Sequence, residues 1–244
     1  MEVKSILLFV FIVILLIIVI RYVIKDVNTL TSLTSAQTMQ QIQASELSTS
    51  SSSGNTSNFT YSIWFYIDDW NYRYGEPKVI FGRMTSGTGQ KEPCPSVVLG
   101  PIQNNVVVSL AVYPGIDEQP EDGTNYIVHN CPVANVPIQR WCNILISVYG
   151  RTLDLYLDGK LVRTCVLPGV AKIDANAPVY ITPNGGFSGW TSNFQYWPDS
   201  TDPQKAWNIY KAGYGGSLLG SIFGKYTVKI SLMEGDTEDS SWTI

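Results

Sequence analysis

Few side chains in this chain could do covalent chemistry, and their spacing speaks against it. His129 is the only histidine, so a Ser-His-Asp relay would have to pass through it. No Gly-x-Ser-x-Gly elbow accompanies it. Asp117, Glu118, Glu121 and Asp122 form an acidic cluster with Pro120 and Gly123 in it, which reads as a solvated loop. Glycosidic cleavage needs two carboxylates held at a set separation across the scissile bond. The Glu-x-Asp-x-Glu spacing that would place such a pair on one strand is absent from residues 59–213, and its one occurrence, Glu234-Gly-Asp236-Thr-Glu238, lies beyond them. Asp68 and Asp69 close a strand, Asp154 sits in the polar phase of another, and Asp158 belongs to a turn. The cysteines Cys94, Cys131, Cys142 and Cys165 contain no Cys-x-x-Cys pair, and one histidine cannot complete a zinc set. The expectation is no catalytic residue, no metal and no cofactor.

What remains is recognition chemistry. Trp70, Tyr72 and Tyr74 share a short loop with Asn71 and Arg73. Aromatic faces beside hydrogen-bonding groups suit a sugar ring. They suit a protein partner too, and they would also serve simply to cover the end of a β-domain.

The charge balance narrows the partners. Sixteen Lys and Arg against 20 Asp and Glu give −4, with no basic block, so a nucleic-acid role has no electrostatic support. Four cysteines allow three disulfide pairings. Cys142 and Cys165 flank a three-strand meander and sit displaced along it, which argues against a direct bond between them.

The elements that must carry these residues fall into four parts. Residues 1–25 read as a transmembrane anchor. ILLFVFIVILLIIVI from residue 6, continuing past Arg21 to residue 24, spans roughly 28 Å as a helix. That matches a hydrocarbon core of about 30 Å. The bulky, charged residues after it do not resemble a signal-cleavage site. Arg21 and Lys25 lean towards a cytosolic C-terminal part. The sequons at Asn55 and Asn58 lean the other way. Residues 26–58 are rich in Ser, Thr and Gln and read as a stalk and flexible linker, with Leu30, Leu33, Met39 and Ile42 suited to a helical first half.

From Phe59 the apolar period becomes two, with Phe59, Tyr61, Ile63, Phe65 and Ile67 on one face. Many short strands follow, separated by turns. Asp158-Gly159 between alternating runs predicts a type I′ hairpin. A helix is predicted between Asp202-Pro203 and Gly213. Residues 59–213 therefore read as an all-β antiparallel sandwich with one short helix, and 214–244 as a β extension.

The motif order resembles concanavalin A-like (laminin G-like) domains. Phe59-Thr-Tyr-Ser-Ile-Trp-Phe65 resembles their opening strand. Trp141-Cys-Asn-Ile-Leu-Ile-Ser147 with Leu155-Tyr-Leu-Asp-Gly-Lys-Leu-Val162 resembles their most recognisable hairpin. Phe187-Ser-Gly-Trp190, Phe194-Gln-Tyr-Trp197 and Ile209-Tyr210-Lys-Ala-Gly213 resemble the closing strand and helix. The resemblance implies a jelly-roll sandwich. The anchor, the polar segment and the tail through Gly224-Lys-Tyr-Thr-Val-Lys229 are also similar to membrane-anchored proteins of large DNA viruses of algae and protists. That likeness implies a non-enzymatic minor capsid component tying an internal virion membrane to its shell, with bilayer and capsid proteins as partners. The alternative expectation is a membrane-anchored, carbohydrate-binding protein at a cell surface.

Overall fold

The structure is a computed structural model and describes residues 11–13, 15–16, 28–47, 57–84, 92–116, 118–120, 123–215, 229–234 and 237–243. The apolar run 6–24 lies almost wholly outside them. Among the described residues no helix is long and apolar enough to cross a membrane. The acidic positions 117, 121 and 122 also lie outside.

Two six-stranded antiparallel sheets form the fold. In chain order the strands are β1 (Thr34–Ser35), β2 (Gln40–Ile42), β3 (Phe59–Asp69), β4 (Lys78–Arg83), β5 (Ser96–Leu99), β6 (Val106–Val112) and β7 (Ile127–Val133). They continue with β8 (Trp141–Tyr149), β9 (Thr152–Leu157), β10 (Lys160–Val166), β11 (Val179–Ile181) and β12 (Ser188–Trp197). The first sheet runs β1-β12-β3-β8-β9-β10, and the second β2-β11-β4-β5-β6-β7. A hairpin of β13 (Lys229–Glu234) and β14 (Thr237–Thr243) forms a separate two-stranded sheet.

Alternation builds the core. Phe59, Tyr61, Ile63, Phe65 and Ile67 point inward and are buried, opposed by Phe81, Val97, Leu99, Val106 and Val108 of the second sheet. The outer face of the first sheet is partly roofed by the helix Pro203–Ala212. Its Ala206 and Ile209 pack on Leu145 and Tyr156 with Trp197 beside them. Asp202 caps the helix, accepting from the Lys205 N–H at 2.7 Å. Gly213, at φ 80°, ends it.

The predicted hairpin turn is present. Asp158 and Gly159 have φ of 50° and 72°, and β9 pairs with β10 from Leu157↔Lys160 outward.

The stalk expectation needs correction. Residues 28–47 are part of the sandwich. β1 adds to the first sheet beside β12, and β2 adds to the second beside β11. Between them Ala36 fills the core, followed by Ile42 and Leu47. The physical reason is that an edge strand of two or three residues needs only backbone pairing and one or two buried side chains. A polar composition with weak helical spacing therefore yields to tertiary pairing.

The chain direction gives the sandwich two distinct ends. The Asn28 carbonyl accepts from the Tyr196 N–H, and β1 runs from there towards Ser35, opposite Trp190. The turn after Tyr149 therefore lies at the end where the N-terminal segment leaves the domain. Asp69, opposite Ser188, lies at the far end.

Cys131 on β7 and Cys165 on β10 form a disulfide, one of the pairings that counting left open. Cys94 and Cys142 are buried thiols.

Candidate functional site

The three aromatics nominated from sequence sit in one loop at the far end. Two of them are struts. The Trp70 indole donates to the Ile102 carbonyl at 3.2 Å, and its ring faces the Lys78 ammonium at 4.8 Å. Lys78 is buried, its Nζ has no hydrogen-bond partner, and burial followed by the Arg73 charge lowers its pKa. The Trp70 ring face therefore stands in for water at a buried cation. The Tyr72 hydroxyl donates to the Gly185 carbonyl at 3.1 Å. Arg73 donates to the carbonyls of Asn184 and Gly186 and pairs with Glu76. Tyr74, 58 % exposed, is the one ring of the three left open.

A second aromatic group, missed from sequence, lies on the outer face of the first sheet. Trp190, Tyr66 and Trp141 occupy successive strands in register, Trp190↔Tyr66↔Trp141. Tyr66 and Trp141 are 5.8 Å apart, and Tyr214 stacks on Trp141 at 4.5 Å with 8° between planes. Trp190 is 48 % exposed. Beside this row is a cavity of about 340 Å³ lined by Thr29, Thr31, Ser32, Ser192, Asn193 and Tyr214, among others. Leu33 and the Tyr214 ring supply apolar wall and no lining side chain is charged, while Thr29 Oγ1 donates to Asn193 Oδ1 and Ser192 Oγ to the Tyr214 carbonyl. Tyr214 is common to the row and the cavity. The sequence signal was available: Tyr66 falls in the polar phase of β3, where an aromatic ring must face outward.

Several carboxylates of the sheets and their loops are committed to structure. Asp158 accepts from the Asn143 N–H at 2.9 Å and pairs with Arg140. Asp154 accepts from Thr164, and Asp69 accepts from the Asn71 N–H. Glu92 pairs with Lys172 at 2.9 Å. Among the described residues no three His, Cys, Asp or Glu side chains converge as a metal set. Burial pushes the Cys94 thiol up to about 12 and the Cys142 thiol up to about 11, so neither is a thiolate nucleophile near neutrality.

A family model described as "Concanavalin A-like lectin/glucanases superfamily" matches residues 41–204. No curated protein matches the chain. Among solved structures, a mutant of HCR/D is similar at 11 % identity and TM-score 0.48, covering 77 % of this chain and 49 % of that one. The receptor binding domain of a botulinum neurotoxin C/D mosaic serotype is similar at 12 % identity and TM-score 0.46, covering 66 % and 39 %. The binding domain of botulinum neurotoxin serotype G is similar at 13 % identity and TM-score 0.47, covering 63 % and 36 %. The chain thus spans half or less of the length of these structures.

Proposed function

The chain belongs to the concanavalin A-like lectin/glucanase superfamily, and from that membership we propose that it is a non-enzymatic, membrane-anchored recognition protein of the lectin-like kind. Residues 6–24 hold it in the bilayer, and the sandwich binds carbohydrate. One observation carries this reading: an uncharged cavity adjoins an aromatic row whose Trp190 ring is exposed. Pyranose rings offer apolar faces to aromatic surfaces and hydroxyls to polar walls, and a row already packed in register loses little entropy on binding. The disulfide supports placement on an oxidising, exported side, hence a cell surface.

The test is a glycan array of neutral oligosaccharides probed with the full chain in detergent. Retention on at least one glycan, weakened about tenfold by Trp190→Ala, is the expected result. Absence of retention on every glycan would remove the reading.

A second reading has its own observation. The edge strand β10 exposes Leu161 and Val162, a surface suited to protein contact. It supports the minor-capsid role, with the sandwich set between an internal virion membrane and the shell. Cross-links from β10 to capsid proteins in intact particles test it.

A further inference from the structure

We propose that the sandwich has no stalk and rests directly on the bilayer, with its anchor-side end seated in the headgroup layer. The inference depends on residues 6–24 spanning the membrane, and it goes beyond that reading by fixing how the domain stands.

Chain length comes first. Four peptide steps separate residue 24, the last of the apolar run, from Asn28, which is already hydrogen-bonded into the first sheet. Fully extended, they reach at most about 14 Å. The sandwich also extends past the level where the chain leaves it. Asn28 is level with Tyr196 and Tyr61, and three residues further along the sheet come Tyr149 and its partner Thr152. That projection is about 10 Å. A tether of about 14 Å running past a projection of about 10 Å leaves no room for a water layer thicker than the headgroups.

The surface brought to the bilayer has matching chemistry. Tyr149 is 68 % exposed and Val166, beside it across Thr152, is 73 % exposed. The Leu167 N–H bonds the Arg151 carbonyl, and the Tyr113 N–H bonds the Val170 carbonyl. These bonds join the ends of both sheets into one surface, to which Tyr113, Ile116 and Val170 add exposed apolar area. Tyrosines beside aliphatic side chains are the composition favoured at a membrane–water boundary. Glu118 on the same loop opposes attraction to anionic lipid. Arg151, exposed in the same turn as Tyr149, carries the opposite charge, so the contact mixes apolar side chains with charges of both signs and suits a zwitterionic bilayer.

The experiment reconstitutes the full chain in phosphatidylcholine vesicles. An environment-sensitive fluorophore is attached at Tyr149→Cys, at Ile116→Cys or, at the far end, at Tyr74→Cys. All three positions are exposed, and the native thiols Cys94 and Cys142 are buried. With nitroxide-labelled phosphatidylcholine, emission is expected to be lost at the first two sites and kept at the third, in low and high salt alike. Emission kept at all three sites in a chain that floats with vesicles overturns the seating and leaves the anchor standing. Loss at all three overturns the upright orientation. A chain that does not float removes the anchor, and the seating with it.

Discussion

Cys131 and Cys165 sit on the outermost strands of opposite sheets, and their bond ties those two open edges together with 6.2 Å between Cα atoms. On the other side of the sandwich, β1 and β2 belong to one continuous segment that joins the opposite edges. The two sheets are thus laced on both sides, once by sulfur and once by backbone.

Removing the sulfur lace should destabilise the domain measurably. Closing a loop of 34 residues is worth about 4 kcal/mol in the chain-entropy account, and native disulfides typically give 2–5. Cys131→Ser, or reduction of the parent, should lower the urea midpoint correspondingly while far-UV circular dichroism keeps its β signature. A midpoint unmoved by reductant would mean that the bond does not form in solution.

The backbone lace predicts where truncation is tolerated. A chain starting at residue 28 should fold, because the segment that pairs both edges is kept. One starting at residue 58 should aggregate. It loses Ile42 and Leu47 from the core, about 1.5–3 kcal/mol each, and bares two sheet edges. Size-exclusion chromatography of the two truncations distinguishes them, and equal behaviour would refute the edge assignment.

Gly159→Val should be severe. A Cβ there would lie 2.9 Å from both Trp207 and Tyr210 of the helix, at a φ of 72°. Backbone strain alone costs on the order of 1–3 kcal/mol, and the helix must also lift. Loss of several degrees in melting temperature is expected, and a melt within a degree of the parent would be incompatible with this packing.

Stability should fall in alkali. Burial holds the folded Cys94 thiol at about 12 and the Cys142 thiol at about 11, and it raises Tyr61 and Tyr196 as well. A raised folded pKa means that the unfolded chain releases its proton first. The contribution is complete below the unfolded thiol pKa near 9 and is lost as pH climbs towards the folded values. Each thiol contributes about 1.4 kcal/mol per pH unit in that window. Urea midpoints from pH 8 to 11 should decline, and Cys94→Ala should flatten the decline.

Much of this architecture was legible in the amino acids. The five inward residues of β3 announce their face by strict alternation, Asp158-Gly159 announces its turn, and Asp202, Pro203 and Gly213 bracket the helix. The edge strands β1 and β2 could not be read the same way. Two or three residues hold no period, and their identity as strands rests on partners some 140 or more residues away. The disulfide has the same origin, since only the meeting of β7 with β10 selects Cys165 over the other thiols. The aromatic row was half visible. Tyr66, Trp141 and Trp190 each look like ordinary strand aromatics until the register lines them up. Trp70 and Tyr72 looked open because nothing in the sequence places Ile102 or Gly185 beside them.

The way the N-terminal segment joins the sheet also decides how the domain bears load. Any pull on the chain ahead of Asn28 acts along β1. The bonds Tyr196 N–H to Asn28, Leu30 N–H to Phe194, Ala36 N–H to Gly189 and Phe187 N–H to Ala36 lie across that direction. They are loaded together, in shear, rather than opened one after another as a zipper would be. A tug on the N-terminal segment is thereby spread over the length of β12 and passed to the centre of the sheet, so that segment holds the sandwich as a rivet holds a plate.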